Sequence, residues 1–551
     1  MGSCRLRIRR KKFAPRPVCP DSQVTECNSI RAPLSRAPVA EGPEVPIPDI
    51  LRETPVSFRN PPQPVPGSIA AVVLGLVLLA GCGSSVPTAL DRLERCGPEE
   101  GPTDAYCGVY EVFEDREASS GRTIPLKIVV LPAFSNNPAS DPVFFLAGGP
   151  GEAAAEVAEA LGGIWSRVRR SRDIVLVNQR GTGKENPLDC DTSNDEDSQI
   201  DVFDSTRFVD KMRVCLEAYD ADPTQYLTSI AMDDLDEIRS WLGYGQINVY
   251  GGSYGTRAAL VYLRRHPDTV RTVVLDGVAP PDMALSLYTA RDGQRALDKL
   301  FADCAADAGC HERFGDLDTK LRNLIERLDR DKPVIETRHP RTGEPFTVRL
   351  TPAAIQLPLF GALYAPGDGM IIPLLIDEAS NGNFAPFLAV AMQDSPGSEV
   401  FSQGMFYSVV CAEDSPRVDV ADTDAAVEGT FLGRTFFETR MKPCEFWPRA
   451  DVEPKYYEPV ESDAPTLILS GDLDPITPPS WGESVAGSLP NSRHLIAPSV
   501  GHGVMPVGCG MRLIEEFIES ADAQSLDASC LGDIKRPPFF VRPSGPEVSN
   551  D

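Results

Sequence analysis

The sequence predicts an α/β protein: a mainly parallel β-sheet flanked by helices, interrupted by a large and mainly helical insertion. Three observations predict it. Short apolar runs of strand type alternate with segments whose apolar residues recur at helical spacing. A G-x-S-x-G pentapeptide at 251–255 lies between one such strand and one such helix. After a long irregular stretch, strand signals return at residue 465.

The chain of 551 residues carries a formal charge of −27, but the acid is unevenly spread. Residues 1–60 hold 11 Lys+Arg and 6 Asp+Glu, leaving 42 Lys+Arg against 74 Asp+Glu in the remainder. Hydrophobic content of 42% with 24% charged residues fits a globular chain and argues against a disordered or polytopic membrane protein. The acidic balance excludes nucleic acid as a natural partner, since phosphate backbones require basic surfaces.

Residues 42–66 are Pro-rich without apolar periodicity and read as unfolded. Ile69–Ala80 is an uninterrupted apolar run. It is too short for a spanning helix, which needs about 20 residues. It fits the apolar region of a signal peptide, roughly 7–15 residues. The following Leu79-Ala80-Gly81-Cys82 resembles the lipobox of bacterial lipoproteins. That resemblance implies removal of residues 1–81, lipidation of Cys82, and export to the cell envelope, facing the periplasm or the cell surface. A membrane would then be met through the lipid anchor only. A signal peptide does not begin with a long unrelated extension, and no Met lies between Met1 and Met212. Translation is therefore expected to start at a non-Met codon nearer Arg59. Residues 82–103, opening with Gly83-Ser84-Ser85, read as a tether.

The first part of the core is expected over 104–281. Ile124–Pro132, Pro142–Leu146 and Asp173–Asn178 are apolar runs bounded by turn formers. Thr228–Leu242 has apolar residues at helical spacing, with Asp233, Asp234 and Glu237 near its start, where the helix dipole favours acid. Ile247–Tyr250 is a strand, Thr256–Arg265 a helix, and Arg271–Asp276 a further strand closed by Gly277 and Pro280-Pro281. Residues 282–462 form the helical insertion, with amphipathic stretches at Ala296–Cys304 and Leu317–Leu328. Strands Pro465–Ser470 and His494–Ala497, then helix Met511–Ser520, complete the core over 463–535. Residues 536–551 read as a loose, Pro-rich tail.

Ten of the 14 Cys lie beyond Cys82, widely spaced and without a C-x-x-C pair. An even, dispersed set suits disulfides in an oxidising compartment. Neighbours in sequence suggest Cys96–Cys107, Cys190–Cys215, Cys304–Cys310, Cys411–Cys444 and Cys509–Cys530. Only His311 sits beside a Cys, and no second His is near it in sequence, so no metal site is expected.

In Gly251-Gly252-Ser253-Tyr254-Gly255 the small residues let a sharp strand-to-helix turn close, lifting the Ser253 hydroxyl above the sheet. A hydroxyl is a weak nucleophile and needs a base held by an acid, in the chain order Ser, acid, His. Beyond the resumed strands stand His494, inside an apolar run and structural, and His502, in the loop Ser499-Val-Gly-His-Gly503. His502 is the candidate base. Asp472 and Asp474 both follow their strand directly; Pro475 stiffens the backbone after Asp474 and favours it. Two backbone N–H donors are needed for the oxyanion. Tyr254 supplies one, and Gly149, in Ala147-Gly148-Gly149-Pro150-Gly151, is the candidate for the other.

Gly148–Gly151, Gln179-Arg-Gly-Thr-Gly183, the Ser253 pentapeptide, Gly471-x-x-Asp-Pro-x-Thr-Pro-Pro479 and Gly501-His-Gly503, in this order, resemble the prolyl-aminopeptidase-related α/β-hydrolases, and within them the exported tripeptidyl-aminopeptidase-like branch. The resemblance covers roughly 105–281 and 440–530. It implies the α/β-hydrolase fold, with the insertion as a cap, Ser253 as nucleophile, Asp474 as acid and His502 as base, and no cofactor. The chain departs from the pattern at Ala147, where many relatives have His, and at Asn178, where many have Asp.

Three activities are compatible with these residues. The first is an exopeptidase releasing short peptides, of tripeptidyl or prolyl type, from free N-termini. The second is a carboxylesterase or lipase-like hydrolase, and the third a surface binding lipoprotein without turnover. An aminopeptidase needs carboxylates to hold the substrate ammonium. Glu413 and Asp414, beside Cys411 in the cap, are the candidates. Oligomeric state is left open by the sequence.

Overall fold

A computed structural model describes residues 89–189, 200–392 and 401–546. The apolar run 69–80, the lipidation candidate Cys82, and Cys190 of the expected Cys190–Cys215 pair lie outside the described residues. No helix among the described residues is long and apolar enough to cross a membrane.

Nine of the described strands form one sheet: β1 Glu94–Arg95, β2 Tyr106–Phe113, β3 Thr123–Leu131, β4 Val143–Leu146, β5 Ile174–Val177, β6 Ile247–Gly252, β7 Val270–Asp276, β10 Thr466–Gly471 and β11 Ser492–Ala497. Their order is β1-β2-β3-β5-β4-β6-β7-β10-β11. The pairs among β5, β4, β6, β7, β10 and β11 are parallel, and β1, β2 and β3 are antiparallel additions at one edge. Every residue of β4, β5 and β10 is buried. Helices cover both faces of a parallel sheet, so its strands read as continuous apolar runs rather than alternating ones. That is why these strands stand out in the sequence.

On one face, helices Thr228–Leu242 and Tyr254–Arg265 pack Leu235, Ile238, Ala258 and Val261 against Val249 and Val273. On the other, Gly510–Ser520 buries Leu513, Ile514 and Phe517 beside Trp165. Asp234, expected to favour the helix dipole, is instead buried and takes two hydrogen bonds from Arg180, at 2.7 and 3.0 Å. Arg180 is fully buried and also donates to the carbonyls of Glu114 and Gln225. The Gln-Arg-Gly-Thr-Gly motif therefore fastens the loop after β5 to the sheet edge and the following helix.

Between β7 and β10 the chain builds a second apolar core around Leu297, Leu300, Leu321, Leu324, Leu359 and Phe387. It is mainly helical, as expected, but includes an antiparallel hairpin, β8 Val334–Arg338 and β9 Pro345–Arg349. No residue of β8 is fully buried, so its sequence has no apolar run to announce it. Two other expectations are corrected. Within the expected tether 82–103, residues 89–103 are folded: Ala89 and Leu93 are buried, β1 pairs with β2, and Cys96 is bonded to Cys107. Within the expected loose tail, 536–546 is docked: Phe539 is buried in the insertion's core, Phe540 N–H donates to the Met370 carbonyl, and Arg536 pairs with Asp303. In both places a few apolar side chains outweigh a polar, Pro-rich composition.

The disulfides Cys96–Cys107, Cys304–Cys310, Cys411–Cys444 and Cys509–Cys530 are formed.

Candidate active site

The residues singled out in the sequence gather at the carboxyl ends of neighbouring strands, where open α/β sheets bind ligands. Gly148 and Gly149 follow β4, Ser253 follows β6, and past β7, which ends in Asp276, a residue not singled out in the sequence, Asp474 follows β10 and His502 follows β11. Registers of Leu146 opposite Gly251, and of Gly252 opposite Asp276, bring the first three of these ends level.

Ser253 has φ 55° and ψ −125°, a conformation that side-chain-bearing residues rarely adopt. Its N–H donates to the Asp276 carbonyl at 2.9 Å, and its own carbonyl accepts from Thr256 Oγ1 at 2.6 Å. The flanking glycines are a steric requirement: a β-carbon on Gly251 would lie 2.2 Å from the Gly255 carbonyl oxygen, and one on Gly255 2.2 Å from that of Leu146. The turn is thus clamped between β4 and β7 with Ser253 at its apex.

Asp474 is fully buried. Its Oδ1 accepts the N–H groups of Ile476 and Thr477, both at 2.8 Å, and its Oδ2 accepts Thr477 Oγ1 at 2.8 Å and stands 2.9 Å from His502 Nδ1. Burial alone would raise the Asp474 carboxyl. The His502 charge and hydrogen bond, with the two amides, overcome that and hold it below the usual range. For His502, burial works against the charged form, but Asp474 prevails and raises the imidazole above its ordinary value, with Asp276 and Glu152 adding in the same sense. An ionised Asp474 at Nδ1 fixes the tautomer that leaves Nε2 as the acceptor. Among the described residues, Ser253 and His502 do not hydrogen-bond directly; such contacts commonly tighten only with substrate in place.

Asp472 differs sharply. Its side chain is 37% exposed and ion-paired with Lys299, on the outside of the same turn. His494 lies in β11 with Nε2 2.9 Å from Ser470 Oγ, as a structural residue would.

The amide pair can be read in the same way. Gly148 N–H is already donated to Glu152 Oε2 at 2.8 Å. Gly149, with φ 102°, has an N–H without an acceptor among the described residues. Tyr254 opens its helix, where the N–H has no intrahelical acceptor.

Glu413 and Asp414 do not reach this opening. Both are 1% exposed. Glu413 accepts Thr228 N–H at 2.7 Å, Thr228 Oγ1 at 2.9 Å and the Tyr456 hydroxyl at 2.5 Å. Asp414 accepts Arg257 Nη1 at 3.0 Å and Leu285 N–H at 3.1 Å, and Arg257 also lies 3.5 Å from Glu413. Burial lifts both carboxyls above their ordinary range, partly offset by Arg257. Their lone pairs are spent on the protein, so the expectation that they anchor a substrate ammonium is corrected. Thr228 Oγ1 also lies 2.7 Å from the Tyr254 hydroxyl, so this cluster braces the residue after Ser253.

Four residues with a part in the geometry were not singled out in the sequence. Thr477 supports Asp474; it is a fixed position of the Gly471–Pro479 motif, but the motif alone assigned it no role. Asp276 takes the N–H groups of Val504 and Met505 and the Tyr250 hydroxyl, tying the His502 loop to β7. Tyr364 of the insertion accepts His502 N–H through its carbonyl at 2.8 Å and sets its ring edge-on to the imidazole. Arg295, also of the insertion, donates to the carbonyls of Asp472 and Asp474. The last three depend on long-range contacts that no local pattern encodes. Among the described residues no cluster of His, Cys, Asp and Glu could hold a metal ion.

Residues 429–530 match a family model described as TAP-like protein. The serine protease Hip1 of Mycobacterium tuberculosis is 26% identical over 431 residues, spanning 71% of this chain and 80% of that protein. The proline iminopeptidase of Neisseria gonorrhoeae is 31% identical over 144 residues, spanning 26% of this chain and 34% of the relative. Among solved structures, the proline iminopeptidase of Mycobacterium smegmatis is 14% identical, with 75% of this chain and 99% of that one covered at a TM-score of 0.33. The chain is thus similar to TAP-like proteins over 429–530 and, over longer spans, to a serine protease and to prolyl-aminopeptidase-related hydrolases.

Proposed function

We propose that this serine hydrolase is an exopeptidase that releases short peptides or single residues from free N-termini through an acyl-enzyme. The observation that carries the reading is the buried Asp474–His502 pair, 2.9 Å apart, beside the strained Ser253 turn. In this reading His502 Nε2 takes the Ser253 proton as Oγ attacks the substrate carbonyl, then returns it to the leaving amine. The charge on the carbonyl oxygen is met by the N–H groups of Gly149 and Tyr254, and Asp474 stabilises the imidazolium. Water repeats the sequence to free the acyl group.

A family that includes peptidases makes peptide cleavage the first choice, with ester hydrolysis, served by the same groups, as the alternative. The test compares Ala-Ala-Pro-nitroanilide with a free N-terminus, its acetylated form, and p-nitrophenyl butyrate, with Ser253→Ala as control. Cleavage of the free peptide alone supports the exopeptidase. Ester turnover without peptide cleavage replaces it with a carboxylesterase, and no Ser253-dependent turnover leaves a binding protein. Export and anchoring through Cys82 belong to the same reading, supported by the apolar run before it and by four disulfides among the described residues.

A further inference from the structure

One carboxylate beside Ser253 has no task in the mechanism above. Glu152 directly follows Gly148-Gly149-Pro150-Gly151 and is partly exposed. A β-carbon placed on Gly148 would stand 3.2 Å from Glu152 Oε2 and 3.3 Å from Ser253 Cβ, so the carboxylate and the serine side chain border the same small space above Gly148. Oε2 accepts the Gly148 N–H, whereas Oε1 has no hydrogen-bond partner among the described residues. No Lys or Arg among them pairs with Glu152 either.

The other acids nearby are different. Asp474, Asp276, Glu413 and Asp414 are each buried and supplied with donors by the protein. Among these described acids Glu152 alone is partly exposed and keeps a carboxylate oxygen without a donor. For a neutral substrate that charge is a handicap, because it opposes the negative charge that develops on the carbonyl oxygen during attack. A substrate cation next to it reverses the sign of the interaction.

Distance then selects which cation. The α-nitrogen of the residue under attack is two bonds from the carbonyl carbon, so it comes close to Ser253. The N-terminus of a tripeptidyl group lies two residues further, about 7 Å away in an extended chain. We propose that Glu152 binds the free α-ammonium of the residue whose carbonyl Ser253 attacks, and that the site therefore removes one N-terminal residue at a time. This rests on the exopeptidase reading and narrows it. The Phe401 ring, 3.2 Å from where a Gly149 β-carbon would sit, gives the same opening an apolar wall.

Glu152→Gln keeps an oxygen to accept the Gly148 N–H and removes only the charge. In the active enzyme, compared at a pH above the acid limb, kcat/KM for proline nitroanilide should fall about tenfold or more in Glu152→Gln, while acetylproline nitroanilide, relieved of an opposing charge, is not slowed, and Glu152→Asp partly restores the preference. Equal losses on both substrates would make Glu152 a support of the Gly148 loop and overturn the proposal, as would no loss on either. Binding is measured separately in Ser253→Ala by calorimetry with prolinamide and N-acetylprolinamide. Tighter binding of prolinamide, abolished by Glu152→Gln, is expected; equal binding of the two in the parent overturns the assignment. If the enzyme proves to be an esterase without peptidase activity, the exopeptidase reading fails, while the calorimetry still decides the role of Glu152.

Discussion

At His502 two forces oppose each other, and in the proposed mechanism their balance sets the pH range of activity. Burial favours the neutral ring, but the charges of Asp474, Asp276 and Glu152 and the Asp474 hydrogen bond raise its pKa above 6.5. A base must be unprotonated to act, so kcat/KM should fall on the acid side with a midpoint above pH 6.5, read from a pH profile on a neutral substrate. Asp474→Asn removes the largest raising influence and the acceptor that fixes the ring. The acid limb should move to lower pH, and the rate should drop by about 10⁴-fold, the scale seen when such a carboxylate becomes an amide. An unchanged limb would show that another group is titrating. Thr477 acts through Asp474, so Thr477→Val should lower kcat with KM little altered, by about tenfold for the loss of one buried hydrogen bond to a charged group.

Among the elements, the segment 410–414 changes meaning once its neighbours are known. In sequence, two adjacent acids in a cap suggest a substrate-binding patch. In the fold, Arg257 reaches across from the helix Tyr254–Arg265 and, with Thr228 and Tyr456, encloses them. Arg257→Met should therefore destabilise the protein by about 3–5 kcal/mol, measured by urea unfolding, because it leaves buried Glu413 without its cation and Asp414 with only the more distant Arg417. A change below about 1 kcal/mol would mean the cluster is hydrated and the acids are free to serve a substrate. The same example shows what can be read in advance. Strands β4 to β7 and β10 and the turns after them were legible because burial on both faces leaves apolar runs, and because Ser253 requires glycines at fixed offsets; the edge strand β11, largely unburied, showed only through the short run at its end. Asp276, Tyr364, Arg257 and the fold of 89–103 were not, since each owes its place to a partner more than 15 residues away or to a few buried side chains in a polar stretch.

For the whole molecule, the cap is joined to the core through the site itself. Tyr364 and Arg295, both in the insertion, hold the His502 and Asp474 loops, so loosening the cap should weaken catalysis as well as stability. The Cys411–Cys444 bond is the natural place to test this coupling. It closes 33 residues of the insertion and adjoins the Glu413–Arg257 cluster that braces Tyr254. Loop closure of that size contributes about 3–4 kcal/mol by the chain-entropy argument. The double variant Cys411→Ser/Cys444→Ser should therefore unfold at lower urea concentration, by an amount of about that size. Under conditions where it remains folded, its kcat should also fall, because the N–H of Tyr254 is less firmly held. Stability lost with kcat intact would show that the insertion and the Ser253 turn are energetically separate, and that the cap serves only to admit and shape the substrate.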